Sequence, residues 1–250
     1  MTRDIMLPEG WTLTVLDEID STNDALKRHP SAPHGTVLAA RKQTGGRGRR
    51  GRRFVSPPGG VYLSMLLRPE APIAQLLHLT PMTALAIRRA IFDACAVEVQ
   101  IKWINDLVYG GKKLCGILTE PVGDAVIIGV GVNCSTAPEE FPTEVRQMAT
   151  SLRQITGNAP DPDVLIAAMV RRLHEMDAAL LHGREEWMRE YAAACVTLGK
   201  TVQIVRGEER RTAFAEGIDA SGALLVRYEN GETAAINSGE ASVRGMYGYL

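Results

Sequence analysis

From Thr12 to Ile19 apolar and polar side chains alternate, the period of a half-buried strand. The next four residues, Asp20-Ser21-Thr22-Asn23, are all of the kinds that cap helix N-termini. The pattern predicts a strand and then a short helix through Ala25, Leu26 and Lys27, with Ser21 and Thr22 read first as caps. Thr36 to Lys42 reads as a buried strand, Pro57-Pro58-Gly59-Gly60 as a turn and Val61 to Leu67 as another strand. Leu76, Leu77, Leu79, Met82, Leu85, Ile87 and Ile91 predict a long amphipathic helix within Pro72 to Cys95, kinked or split at Pro81. Apolar runs at Val99 to Trp103, Leu107 to Tyr109, Lys113 to Glu120 and Ala125 to Val132 predict four strands. A tight hairpin at Tyr109-Gly110-Gly111-Lys112 joins two of them.

Asp161-Pro162 supplies an N-cap and a first-turn proline for a helix with Leu165, Ile166, Met169, Leu173, Met176 and Leu180 on one face. Gly183 ends it, and Glu185 to Cys195 reads as a second helix. From Gly199 the pattern changes to short strands at Thr201 to Val205, Thr212 to Ile218, Ala223 to Tyr228, Thr233 to Ile236 and Ala241 to Arg244. Hairpins outnumber strand–helix–strand alternation, so the fold class is α+β. Residues 1–198 are expected to form a mixed, largely antiparallel sheet with helices, and residues 199–250 a small β-barrel. A unit of about 50 residues buries too little to be very stable alone, which predicts that the barrel docks on the first domain.

With 45% hydrophobic and 23% charged residues the composition is that of an ordinary globular protein, and a formal net charge of −1 argues against a dedicated DNA-binding protein. Cys95, Cys115, Cys134 and Cys195 are widely spaced, without a Cys-x-x-Cys pair or a histidine cluster, so neither a zinc site nor a disulfide framework is expected. They read as buried thiols in a reducing compartment. No run approaches the ~18 apolar residues of a membrane span, and no signal peptide is evident, so the protein is expected to be soluble and cytoplasmic with no membrane partner.

Charge is concentrated in one place. Arg41 to Arg53 carries seven of the 28 lysines and arginines and no acid, so the rest of the chain is net acidic. Gly45, Gly46, Gly48 and Gly51 interleave with the arginines, allowing close backbone approach beside forked donors suited to phosphate or carboxylate. A solvated basic loop or a nucleic-acid patch is the plainer reading of such a run, but neither needs so much backbone freedom. Gly46-x-Gly48-x-x-Gly51 fits the dinucleotide spacing, yet Arg53-Phe54-Val55-Ser56-Pro57-Pro58 cannot open the helix that fingerprint requires. Gly199-Lys200-Thr201 has Ala194 where a P-loop has its first glycine and leads into a strand.

Three separated segments complete the picture: Gly46-Arg47-Gly48-Arg49-Arg50-Gly51-Arg52, then Lys102-Trp103-Ile104-Asn105-Asp106 with Lys113-Leu114-Cys115-Gly116-Ile117-Leu118, then Gly129-Val130-Gly131-Val132-Asn133. Together they resemble the biotin protein ligases, and the likeness runs from about Ser21 to Gly239-Glu240 and Arg244. The resemblance implies a catalytic domain related to class II aminoacyl-tRNA synthetases followed by an SH3-like barrel. It implies that biotin and ATP with Mg²⁺ are substrates, giving biotinyl-5′-AMP and pyrophosphate, and that biotin then passes to one lysine of a biotin carboxyl carrier domain. No tightly bound cofactor and no protein-held metal are implied. Larger relatives carry an N-terminal DNA-binding repressor domain; this chain begins almost directly at the catalytic segment, so that activity is expected to be absent. A homodimer is left open.

Carried over position by position, Ser21, Thr22, Asn23, Gln43, Gly46, Arg47, Gly48, Arg49 and Lys113, with Gly116 and Gly131, match biotin-contacting positions. Arg49, Arg50, Arg52, Phe54, Asn105 and Asn133 match positions around the nucleotide. Ser21 and Gln43 would pair with the polar ureido edge of an otherwise apolar ligand, and Arg49 and Arg52 would hold the loop over the phosphates. Lys113 carries the chemistry in this reading, because joining a carboxylate to an α-phosphate needs a cation between two anions; its plainer reading is a surface lysine. Ile104 and Phe54 stand where the family has proline and tryptophan, which predicts a looser turn at Asn105 and a smaller stacking surface for adenine. The alternatives are a lipoate or octanoate ligase or transferase of the same fold, and a nucleic-acid-binding module using the arginine–glycine loop.

Overall fold

In the computed structural model, which describes residues 5–237 and 242–245, β1 (Thr12–Leu16) leads through α1 (Thr22–Lys27) to β2 (Thr36–Ala40), and β3 (Val61–Leu67) follows the basic loop. Then come α2 (Leu79–Cys95), β4 (Gln100–Lys102), β5 (Asp106–Tyr109), β6 (Lys112–Val122) and β7 (Ala125–Val132). The seven strands form one sheet in the order β1-β2-β3-β7-β6-β5-β4. Only β1 and β2 run parallel, so the sheet is mixed and largely antiparallel, as the hairpin pattern predicts.

β7 explains why one face of the sheet is a core and the other a site. Side chains alternate across a strand, and on one side Val126, Ile128, Val130 and Val132 join the main core with Met82, Leu85 and Ile91 of α2. Full burial of each of those side chains is worth about 1.5–3 kcal/mol relative to exposure. On the other side Ala125 and Ile127 pack with Leu26 of α1 and Leu66 of β3, and the next two positions are Gly129 and Gly131. Their cross-strand partners on β6 are Leu118 and Gly116, so three glycines leave a trough in the sheet surface.

α1 starts where its caps predict. Ser21 is extended (φ −157°, ψ 129°) and its Oγ accepts from Asp24 N at 3.3 Å. α2 departs from expectation. It begins only at Leu79, after a single 3₁₀ turn at Ile73–Gln75, so Leu76 and Leu77 precede it. Pro81 causes no kink, because it lies in the first turn, where a helix leaves its N–H groups unbonded in any case.

Two short helices, α3 (Thr143–Arg146) and α4 (Leu152–Thr156), fall in a stretch that shows no apolar periodicity. α5 (Pro162–Ala179) and α6 (Arg184–Ala194) follow, with Asp161 capping α5 as expected. α2, α5 and α6 cover the core face through Ile87, Leu165, Met169, Leu173 and Met188. The C-terminal strands β8 (Thr201–Arg206), β9 (Glu209–Ile218), β10 (Leu224–Tyr228), β11 (Thr233–Ile236) and β12 (Ser242–Gly245) form a second, antiparallel sheet in the order β11-β10-β9-β8-β12. Gly239, Glu240 and Ala241, to which the sequence reading extended, lie outside the described residues.

The second sheet is tied to the first. Trp103 Nε1 donates to Gly222 O at 3.0 Å, and Trp103 N donates to Thr197 Oγ1 at 3.0 Å. Among the described residues no helix is long and apolar enough to cross a membrane.

Candidate active site

The glycine trough is roofed by the basic loop. Gly48 N donates to Arg52 O at 2.7 Å and Phe54 N to Gly46 O at 2.9 Å, folding Arg47–Arg53 back on itself around a 3₁₀ turn at Arg49–Gly51. Arg50 sits at φ 58°, a left-handed conformation uncommon for a residue with a Cβ. The cleft enclosed between flap and trough measures about 640 Å³.

Two of the flap side chains are held by partners from other elements. Arg47 Nε lies 2.6 Å from Asp24 Oδ2, and Arg49 Nη1 donates to Asn105 Oδ1 at 2.9 Å. Burial, followed by the Arg50 charge, lowers the Arg49 pKa from the usual guanidinium value, but the group stays cationic at neutral pH. Lys113 Nζ pairs with Asp106 Oδ1 at 2.6 Å and stands 5.7 Å from the centre of the Phe54 ring. Phe54 lies directly on the trough: a Cβ at Gly131 would come within 2.5 Å of its ring, and one at Gly116 within 3.0 Å. Any side chain there would displace the aromatic ring.

The opposite end of the cleft is polar and uncharged. Gln43 Oε1 accepts from Thr22 N at 2.8 Å and lies 3.1 Å from Thr22 Oγ1, while its Nε2 donates to Ser56 Oγ at 3.0 Å. Ser21, Thr22 and Asn23 are buried at the start of α1 and line the cleft with Gln43. Capping and cleft lining coincide at Ser21, so the two readings of that residue do not compete.

Fourteen of the sixteen residues singled out from sequence line this one cleft: Ser21, Thr22, Asn23, Gln43, Arg47, Gly48, Arg49, Arg50, Arg52, Phe54, Asn105, Lys113, Gly116 and Gly131. Gly46 and Asn133 do not. Gly46 is buried behind the flap, where a Cβ would come within 2.4 Å of Phe54 O and Ser56 Oγ. Asn133 is turned inward: its Nδ2 donates to Thr150 O at 3.0 Å, and its backbone joins Leu114 and Leu152. It braces the wall next to Met148 instead of facing the cavity.

The expected looseness at Ile104 is not found. Asn105 Nδ2 donates to Ile117 O at 2.9 Å, Ile117 N donates to Asn105 O at 2.9 Å, and Tyr191 OH donates to Ile104 O at 3.2 Å. A buried isoleucine with 2% exposure fills the place, and hydrogen bonds from β6 and α6 hold the turn that carries Asn105. Sequence reasoning passed over Asp106, Val145, Met148 and Gln203, all of which line the cleft. Asp106 belongs to the Lys102-Trp103-Ile104-Asn105-Asp106 segment and is the partner of Lys113. Gln203 comes from β8 of the second sheet, and Val145 and Met148 from the α3 segment, where no periodicity marks them.

A basic flap over a glycine trough, with one neutral polar end and one cationic end, defines a site for an anionic ligand that also has an uncharged hydrogen-bonding head. Residues 15–133 match the model of the biotin/lipoate A/B protein ligase family and residues 197–244 that of the biotin protein ligase C-terminal domain. The chain is 35% identical to the biotin–[acetyl-CoA-carboxylase] ligase of Paracoccus denitrificans, over 85% of this chain and 93% of that protein. It is 42% identical over 160 residues to the bifunctional ligase/repressor BirA of Bacillus subtilis, covering 61% of this chain and 49% of that one, so it spans about half the length of that relative. The biotin protein ligase of Aquifex aeolicus, solved in complex with biotin and ATP, superposes with a TM-score of 0.84 at 33% identity, covering 93% of this chain and 98% of that one. The chain belongs to the biotin protein ligase family.

Proposed function

We propose that the protein activates biotin with MgATP to biotinyl-5′-AMP and pyrophosphate, and transfers biotin to a lysine of a carboxylase's biotin carboxyl carrier domain. One observation carries the reading: the uncharged Thr22–Gln43 end and the cationic Lys113–Arg49 end occupy the same cleft, with the glycine trough between them. Biotin has the matching order of groups, a ureido ring, an apolar chain and a carboxylate. Ser21, Thr22, Asn23 and Gln43 take the ureido edge; Arg47, Gly48, Gly116 and Gly131 flank the body; Lys113 and Arg49 meet the carboxylate. Gly46 supports this arrangement from behind the flap.

In the first step a carboxylate oxygen of biotin attacks the α-phosphorus of ATP, the bond to the bridging oxygen breaks, and pyrophosphate leaves. Two anions approach in that step, and the Lys113 ammonium with the Arg49 and Arg52 guanidinium groups offsets their repulsion and the charge that grows on the phosphorus oxygens. Phe54 offers a face to adenine, with Val145 and Met148 on the facing wall, while Arg50 and Asn105 lie toward the phosphates and Asn133 braces that wall. In the second step a neutral lysine amine of the carrier attacks the acyl carbon, AMP leaves, and the nitrogen releases a proton. The flap keeps water from the mixed anhydride between the two steps.

We also read residues 1–198 as the catalytic unit, related to class II aminoacyl-tRNA synthetases, and residues 199–250 as an SH3-like barrel whose Gln203 reaches the cleft. We also infer a cytoplasmic setting, a reading that the use of ATP and the free cysteines Cys95, Cys115, Cys134 and Cys195 support. A lipoate ligase remains the competing reading within the fold. The names of the relatives and the biotin and ATP in the Aquifex complex support biotin. Incubation with ATP and either radiolabelled biotin or radiolabelled lipoate separates the two: the account expects an adenylate from biotin, and exclusive formation of lipoyl-AMP would replace it.

A further inference from the structure

Behind the neutral end of the cleft a chain of hydrogen bonds runs through buried polar groups and ends at Glu120 on β6. Asn23 Nδ2 donates to Glu120 Oε2 at 2.8 Å, and the other carboxylate oxygen takes Lys27 Nζ at 2.6 Å. Ser64 Oγ lies 2.5 Å from Asn23 Oδ1 and 2.7 Å from Thr22 Oγ1, which lines the head of the cleft. Ser64 is fully buried, and Asn23 and Thr22 are 4% and 3% exposed. The Asn23 carboxamide fits only because position 129 is glycine: a Cβ there would come within 2.1 Å of Asn23 Oδ1.

The chain has a direction, and Glu120 sets it. An ionised carboxylate only accepts, so the amide edge facing it must be the NH₂, and the amide oxygen must then face Ser64. Ser64 has one proton and spends it on that oxygen, so toward Thr22 it can only accept; the single Thr22 hydroxyl proton then goes to Ser64, and Gln43 Oε1 takes the Thr22 backbone N–H instead. Without Glu120 the Asn23 amide can turn over at little cost, Ser64 is released, and the donors and acceptors presented at the head of the cleft are no longer unique. We propose that Glu120 is a positioning residue: through Asn23 and Ser64 it commits the Thr22 hydroxyl proton to Ser64 and so leaves Thr22 Oγ1 an acceptor toward the ligand's uncharged head. The inference rests on the biotin reading above, and it predicts that the effect falls on biotin and not on ATP.

Three variants and the wild-type enzyme test it by biotin-dependent ATP–pyrophosphate exchange, with KM measured separately for each substrate. Glu120→Ala should raise the KM for biotin about tenfold, with kcat and the KM for ATP within about threefold of wild type. Lys27→Met removes the ion pair but not the acceptor, and should leave all three parameters within about threefold. In the Lys27→Met background, Glu120→Gln keeps a carbonyl oxygen for Asn23 and should restore the KM for biotin to that of Lys27→Met alone. An unchanged KM for biotin in Glu120→Ala, or a rise in Lys27→Met equal to that in Glu120→Ala, overturns the inference; the latter would make the pair a simple anchor of α1. If Glu120→Ala fails to fold, loss of biotin affinity in the Lys27→Met, Glu120→Gln double variant overturns it just as well. Wild-type enzyme without exchange activity would defeat the biotin reading itself, and that result is distinct from either outcome.

Discussion

Lys113 Nζ and Asp106 Oδ1 lie 2.6 Å apart on adjacent strands, at the edge of the trough that Phe54 covers. The ammonium is therefore positioned by a carboxylate, and it lines the cleft in which the proposed reaction would bring two further anions together. Both side chains are partly shielded, at 28% and 17% exposure, so the charge acts in a medium less polar than water. Lys113→Ala should lower the rate of adenylation by at least ~10² with far-ultraviolet circular dichroism unchanged. Single-turnover formation of biotinyl-AMP checks this, and a folded variant with near-normal turnover would remove Lys113 from the chemistry.

Gly131 faces the Phe54 ring so closely that a methyl group must push the ring off the trough. Gly131→Ala should raise the KM for ATP about tenfold and leave the folded state cooperative. Equal KM values for ATP in the two proteins would show that the position of Phe54 does not matter to the nucleotide.

His78 is buried at the head of α2 with Nε2 3.1 Å from Leu180 O, and burial lowers its pKa from the ordinary 6.5. A base whose folded pKa is depressed binds its proton more readily when unfolded. Its contribution to stability is therefore complete above about pH 6.5 and is lost as pH falls from there toward the folded pKa. Melting temperatures at pH 7.5 and 5.5 should differ less in His78→Gln, which keeps a donor for Leu180, than in wild type. The same difference in both would assign the acid sensitivity elsewhere.

Burial pushes the thiol of Cys134 up to about 12 and those of Cys95, Cys115 and Cys195 upward as well; Cys115, Cys134 and Cys195 are buried and Cys95 is half-buried. A disulfide reagent at neutral pH should label at most Cys95 in the native protein and all four cysteines after denaturation. Rapid labelling of Cys115, which lies next to the trough residue Gly116, would indicate opening of the sheet.

Where a residue's role depends on its neighbours in sequence, the role was legible. Ser21 caps α1, the Gly110–Gly111 pair turns β5 into β6, and the alternation in β7 puts Gly129 and Gly131 on one face. What depends on distant partners was not. Asn133 ends β7 inside the wall because its amide meets Thr150, a contact that no local pattern announces. Ser64 and Glu120 read as ordinary polar positions of strands, yet α1 turns both into parts of a buried chain. Pro81 was read as a helix breaker because its place in the first turn depends on where α2 begins, and the apolar residues before Leu79 obscured that start. Gln203 enters the cleft from a second sheet that joins the first through a shared apolar core including Val202 and Ile204 and through the Trp103–Gly222 bond.

The central claim is that one cleft brings biotin and ATP together and joins them, with a basic flap and Lys113 offsetting the repulsion. Exchange of labelled pyrophosphate into ATP by the purified protein measures this most directly. The account predicts exchange that requires both Mg²⁺ and biotin, saturates with biotin, and does not require a carrier protein. Absence of exchange with biotin under those conditions, or exchange that proceeds equally well without it, would contradict the account.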